Sequence, residues 1–110
     1  MSILLFIVAA AASVTSLQGS RAAYEQCLVQ LTIDMLKEKK TADEFTEASK
    51  TACETEKTNF RAAVVKEERS SGSSTADANE FADEEVTTIL DDMAIGYADH
   101  LLYKTTPVRD

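Results

Sequence analysis

The chain has 110 residues, which is enough for a single domain. Its formal net charge of -8, with no basic patch, disfavours nucleic-acid binding. Strand-rich folds need frequent turns, whereas this chain has only three glycines and one proline beside 45% apolar residues. The composition therefore predicts an all-α protein.

The N-terminal segment, residues 1–16, carries no charged side chain. A strongly apolar run from Ile3 to Val8 is followed by alanines and small polar residues, a grading typical of a secretory signal peptide. We predict cleavage after Ser16, with sites near Ala12 or Ser13 as alternatives. An uncleaved membrane anchor and a buried helix are the two other interpretations. The apolar run is shorter than the roughly 20 residues of a membrane-spanning helix, which disfavours the anchor. We expect export, to the periplasm or beyond the cell.

Two cysteines, Cys27 and Cys53, each lie thirteen residues from Lys40, where a break between helices is predicted. Thr41 and Glu44 match a capping box, which marks the start of a new helix after that break. In an antiparallel helical hairpin both cysteines would lie about 20 Å from the turn, because a helix rises 1.5 Å per residue. We predict a disulfide that stabilises the fold by roughly 3–4 kcal/mol. Two unrelated buried thiols are the alternative.

Three helices are predicted over residues 20–40, 42–69 and 78–103. With the hairpin disulfide they form a small three-helix bundle over 17–106, followed by a frayed tail at 107–110. The first helix is apolar on two sides, so it is expected at the centre, with one side facing the third helix. A Ser/Gly-rich stretch before the third helix predicts a flexible linker, which leaves a helix-swapped dimer as the alternative to a monomer.

The boundaries and faces of these helices follow from residue spacing. Ser20 and Asp77 are the expected N-caps of the first and third helices, with Glu80 completing a capping box after Asp77. The second apolar face of the first helix consists of Val29, Ile33 and Leu36. The apolar stripe of the third helix consists of Ala82, Val86, Ile89, Leu90, Met93, Ala94, Tyr97 and Leu101.

The third helix is strongly acidic and has no lysine or arginine between Asp77 and Asp99. Its carboxylates are Asp77, Glu80, Asp83, Glu84, Glu85, Asp91, Asp92 and Asp99. They indicate an interaction surface for a protein with a basic surface, and a solvated helix face is the plainer interpretation. His100, the only histidine, is a weak candidate for a pH-sensitive contact, with ordinary packing as the alternative.

No set of residues in the sequence matches a catalytic motif, so the chain is predicted not to be an enzyme. Two cysteines alone cannot complete a zinc site, and the carboxylates lack the spacing of a calcium loop, so no cofactor or metal is expected. The sequence favours an exported protein-binding or structural factor of the cell envelope. A small-ligand or cation carrier that uses the bundle interior or the acidic helix is the alternative.

Overall fold

The computed structural model describes residues 16–110, so the predicted signal peptide lies outside the described part except for Ser16. This part contains four helices and no strand. The helices are α1 (Ser16–Lys37), α2 (Ala42–Thr51), α3 (Glu54–Ser70) and α4 (Thr75–Tyr103). The all-α prediction is confirmed, and none of the helices within residues 16–110 could span a lipid bilayer.

The predicted second helix is divided into two, which makes the bundle four-helical where three helices were expected. α2 ends at Thr51, and Cys53 has left-handed backbone angles (φ 58°, ψ 40°) as the N-cap of α3. No glycine or proline lies nearby to break the helix. Non-local contacts hold the break instead, since Cys53 is bonded to α1 and Lys57 Nζ donates a 2.7 Å hydrogen bond to the Lys50 carbonyl at the end of α2.

The cap of α2 is as predicted, and the expected cap of α4 is wrong. The Glu44 amide donates to Thr41 Oγ1 (3.1 Å), and the Thr41 amide donates to Glu44 Oε1 (2.9 Å), which completes the capping box. The hydrogen bond from the Thr41 amide to the Glu44 carboxylate, and to a lesser degree the Thr41 side chain, lowers the pKa of Glu44. α4 is capped by Ser74, whose hydroxyl accepts from the Asp77 amide at 3.1 Å, so the helix begins before Asp77.

The N-cap predicted at Ser20 is also wrong, because α1 is already helical from Ser16. Leu17 packs against the core, and this contact stabilises a helical turn ahead of Gly19 and Ser20. α1 therefore carries an additional turn that faces α3 and α4.

Two clusters of buried side chains form the core. The larger one joins α1, α3 and α4 through Tyr24, Leu28, Phe60, Val64, Ala82, Val86 and Ile89. The smaller one joins α1, α2 and α4 through Met35, Phe45 and Tyr97. The Phe45 and Tyr97 rings stack with centroids 4.4 Å apart, and Tyr97 Oη donates a 2.6 Å hydrogen bond to the Lys40 carbonyl. α4 is thereby fixed to the α1–α2 turn.

Two details of the predicted apolar faces are wrong. α1 contacts both α3 and α4 through the same face. Of its predicted second face only Leu36 packs against a core cluster, whereas Val29 and Ile33 belong to neither. Leu101, predicted to lie in the core, is 41% exposed. The reason is that Tyr97 already meets the α1–α2 turn, so the last turn of α4 extends beyond the hairpin.

The C-terminal tail, predicted to fray over 107–110, contacts α1 at its last two residues. Arg109 Nη1 donates to Gln30 Oε1 at 3.1 Å, and the Asp110 amide donates to Gln26 Oε1 at 3.1 Å. These bonds place the tail beside Cys27 of α1, which is half-buried.

Candidate functional site

The predicted disulfide is present between Cys27 of α1 and Cys53 at the α2–α3 junction. Their Cα atoms are 6.1 Å apart, which lies within the range that a disulfide requires. The equal heights inferred from the distance to Lys40 are thus confirmed. Because disulfides persist in oxidising environments, the bond indicates a non-reducing compartment.

An apolar groove with an acidic rim lies between α1, α3 and α4 and is called here the acidic groove. Its volume is about 270 Å³. It is lined by Leu17, Gln18, Arg21, Phe60, Val64, Glu67, Glu68, Phe81 and Glu85. The apolar side chains form the floor of the groove, and the charged side chains form its rim.

The floor of the acidic groove belongs to the larger core cluster. Phe60 is fully buried, Val64 is buried, and Leu17 packs against them from the first turn of α1. Phe81 of α4 forms one wall and is 39% exposed, because its neighbours Ala78 and Ala82 occupy the core side of the helix. The groove therefore presents an aromatic side chain that the fold itself does not cover.

The charge on the rim is negative. Three carboxylates (Glu67, Glu68, Glu85) and one guanidinium (Arg21) line the groove, which gives a net charge of -2 from these groups. Arg21 is already engaged, since it lies 3.4 Å from Glu85 Oε1 and 5.9 Å from the centroid of the Phe60 ring. The remaining carboxylates on the rim of the acidic groove are available to a cationic partner.

The eight predicted acidic residues lie along α4 and divide into three groups. Asp83 pairs with Arg61 and Glu85 with Arg21, so these two carboxylates attach α4 to the neighbouring helices. Asp77 and Glu84 are exposed and lie four residues before and three residues after Phe81, spacings that share a helix face, and the exposed Glu80 directly precedes it. The exposed residues further along the helix are Asp91, Asp92 and Asp99. Within residues 16–110, no three of the carboxylates of α4 lie close enough together to share one metal ion.

His100 lies near the end of α4, one turn beyond Tyr97, and is half-buried. Its Nδ1 is 2.7 Å from Thr105 Oγ1, a contact that belongs to the end of the helix. It lines neither the acidic groove nor the cleft described next. A pH-sensitive role for His100 remains a prediction.

A second depression, the disulfide cleft, has a volume of about 490 Å³ and follows the α1–α3 side of the Cys27–Cys53 bond. It is lined by Ala23, Gln26, Cys27, Gln30, Leu31, Asp34, Ala52, Cys53, Glu56 and Arg109. A carboxylate oxygen of Glu56 and both sulfur atoms lie within 4.8 Å of one another. The disulfide is accordingly reachable from solvent beside a carboxylate.

Sequence reasoning missed Phe81 and Glu56. Phe81 lies one position off the apolar stripe of α4, and only the packing of three helices shows that it borders a groove. Glu56 follows Cys53 by three residues and lies in the first turn of α3, and this closeness in sequence could have indicated the pair.

Similarity to known proteins supplies no function for this chain. No protein-family model, no curated protein and no solved structure matches it.

Proposed function

We propose that this is an exported, non-enzymatic protein of the cell envelope that binds a partner protein at the acidic groove. The observation that carries the proposal is Phe81, an exposed aromatic side chain on an apolar groove with a carboxylate rim. The partner segment that fits has one bulky apolar side chain flanked by lysine or arginine.

The two parts of the acidic groove have different energetic roles. Aromatic and apolar anchors at the centre of an interface provide most of the binding free energy. Rim charges contribute more to the association rate and to partner choice. The exposed carboxylates of α4 extend the negative surface beyond the groove and would attract a basic protein before the apolar anchor enters.

The compartment is part of the proposal. The Cys27–Cys53 bond indicates a non-reducing environment, and the apolar run from Ile3 to Val8 is typical of a secretory signal. Periplasmic or secreted location accounts for both features.

A small-ligand or cation carrier is the second candidate, and the disulfide cleft is the observation that favours it. A ligand that binds the folded state raises the melting temperature by mass action. A rise in melting temperature with one member of a panel of metabolites and cations would support a carrier. The absence of any such rise would count against it.

The binding proposal is tested with labelled peptides and fluorescence anisotropy. The probe is a pentapeptide with phenylalanine between pairs of lysines, and its partner probe has alanine at the centre. Phe81→Ala should weaken binding of the phenylalanine peptide by about ten-fold or more, equivalent to about 1.4 kcal/mol. The matched control is Ile95→Ala, because Ile95 is 63% exposed on the same helix and does not line the groove.

Two further measurements complete the test. Raising the salt concentration should weaken the binding of both peptides, because salt screens the attraction between the rim carboxylates and the lysines of the peptides. A pull-down from an envelope fraction at low and high salt should retain a partner that Phe81→Ala loses. Equal effects of the Phe81 and Ile95 variants, or no peptide binding at any ionic strength, would refute the proposal.

A further inference from the structure

The C-terminal tail, residues 104–110, places an arginine side chain in the disulfide cleft. Arg109 lines the cleft, and its Nη1 donates a hydrogen bond to Gln30 Oε1 at 3.1 Å. The next backbone amide, that of Asp110, donates to Gln26 Oε1 at 3.1 Å. We infer that the disulfide cleft is a binding site for an arginine-bearing segment of a partner protein, and that the tail is a tethered ligand that competes for this site.

The two acceptors lie on one face of α1. Gln26, Gln30 and Asp34 follow one another at four-residue spacing, so their side chains form a row along the helix. Gln30 Nε2 donates a 3.0 Å hydrogen bond to Asp34 Oδ1, which leaves Gln30 Oε1 free to accept from the tail. The row therefore offers one acceptor to a guanidinium group and another, one turn away, to the backbone amide that follows the arginine.

This two-point contact favours a peptide over a small guanidinium compound. A guanidinium group alone can satisfy only the acceptor of Gln30, whereas an arginine within a peptide satisfies Gln26 as well. The tail makes both contacts, so it shows the arrangement that an incoming segment would reproduce.

The cleft carries negative charge that the fold does not neutralise. Asp34 and Glu56 both line it, and neither forms an ion pair within residues 16–110. Two carboxylates and the Arg109 guanidinium sum to -1 for the ionisable lining groups, and the sum is -2 once the tail has left. A cleft vacated by the tail therefore attracts another guanidinium group.

The disulfide bond gives the cleft a fixed shape. It joins Cys27 in α1 to Cys53 at the α2–α3 junction, so the two sides of the cleft cannot separate. Leu31 and Ala52 add apolar surface for the methylene groups of an arginine side chain. Arg109 lines the cleft without filling it, and the volume of about 490 Å³ leaves room for the residues that flank an arginine in an incoming segment.

The tail is held in a way that permits displacement. Both of its hydrogen bonds to α1 are exposed to solvent, and neither core cluster of the described residues includes a residue of the tail. Lys104 ends α4 in a left-handed conformation (φ 55°), so only a short segment connects the helix to Arg109. A short flexible tether gives the competitor an effective concentration on the order of millimolar.

The inference goes beyond the partner binding proposed at the acidic groove. The two sites share no lining residue, so either proposal can fail while the other stands.

The test measures binding of a labelled peptide to the oxidised protein by fluorescence anisotropy. The peptide has the sequence of residues 104–110 and an amidated end. Arg109→Ala removes the tethered competitor, so this variant should bind the peptide about ten-fold more tightly than the wild type does. Peptides with alanine or citrulline in place of arginine should bind more weakly, because citrulline keeps the shape of the side chain and lacks its charge.

Further variants of the Arg109→Ala protein locate the bound peptide. Gln30→Ala should weaken binding by about ten-fold, because it removes an acceptor for a charged donor. Gln18→Ala is the matched control, since Gln18 is exposed on the same helix outside the disulfide cleft, and it should leave the affinity unchanged. Phe81→Ala should also leave it unchanged. Loss of binding in Phe81→Ala and not in Gln30→Ala would place the peptide in the acidic groove and overturn the inference.

Two unlabelled competitors distinguish a peptide site from a site for a small guanidinium compound. N-acetylarginine N-methylamide carries the guanidinium group and the amide that follows it, and it should displace the labelled peptide. Methylguanidinium carries only the guanidinium group and should need a concentration about ten-fold higher or more. Equal potency of the two competitors, no binding of the peptide to Arg109→Ala, or equal affinities of Arg109→Ala and the wild type would overturn the inference.

Discussion

Two fully buried tyrosines, Tyr24 and Tyr97, should respond to loss of the hydroxyl group in opposite directions. Tyr97 Oη donates a 2.6 Å hydrogen bond to the Lys40 carbonyl. Tyr24 Oη is buried and has no hydrogen-bond partner among the described residues. The same chemical change, tyrosine to phenylalanine, therefore removes a bond at one site and an uncompensated polar atom at the other.

The expected magnitudes follow from this difference. Tyr97→Phe preserves the stack on Phe45 and loses one hydrogen bond, which should lower the free energy of unfolding by about 1 kcal/mol. For a domain of this size that corresponds to a fall in melting temperature of about 4–8 °C. Tyr24→Phe should be neutral or raise the free energy of unfolding by up to about 1 kcal/mol, because a buried hydroxyl without a partner costs free energy.

Urea unfolding followed by far-UV circular dichroism measures both variants under one set of conditions. Tyr103→Phe is the control, since Tyr103 is 69% exposed. Equal destabilisation by Tyr24→Phe and Tyr97→Phe would refute the reasoning, because it would mean that both hydroxyl groups are hydrogen-bonded in the folded state.

Three other outcomes are expected. Replacing Cys27 and Cys53 together by serine should cost about 3.5 kcal/mol in urea unfolding, the chain-entropy value for a separation of 26 residues, and a loss below 1 kcal/mol would contradict it. The Thr41 amide, and to a lesser degree the Thr41 side chain, lowers the pKa of Glu44, so the stabilisation by the charged carboxylate is present above the ordinary pKa and is lost as pH falls through the lowered one. Glu44→Gln should therefore destabilise less in acid than at neutral pH, and a constant effect would argue against this linkage. Burial, and to a lesser degree Glu54, raises the pKa of Tyr24 to about 12, so the unfolded chain ionises first above the ordinary pKa of 10.0 and the fold loses stability as pH rises toward 12. An alkaline unfolding curve that Tyr24→Phe leaves unchanged would disprove it.

The features that sequence reasoning predicted correctly depend on short-range signals or on simple helix geometry. The capping box of Thr41 and Glu44 is a contact three residues apart, and both partners are visible in the sequence. The disulfide followed from equal distances of Cys27 and Cys53 to the turn, which needs only the rise of a helix. The all-α class followed from composition and periodicity.

The features that were missed depend on contacts between distant residues. Residues 42–69 read as one helix because nothing local interrupts them, yet the bond to α1 and the Lys57 cap hold a break at Cys53. Ser74 and Asp77 are both residue types that favour the N-cap position. Ser74 caps α4 in the structure, so the helix begins about one turn earlier than predicted. The acidic groove exists only where α1, α3 and α4 meet, so the exposure of Phe81 could not be inferred from α4 alone.

Site-specific photo-crosslinking in cells that produce the protein tests directly whether Phe81 contacts a partner. A benzophenone amino acid is placed at Phe81 in one strain and at Ile95 in another, and the crosslinked segment of the partner is mapped by mass spectrometry. We expect an adduct from position 81 alone, on a segment in which lysine or arginine flanks a bulky apolar residue. Adducts of equal yield from both positions, or a mapped segment without basic residues, would contradict it.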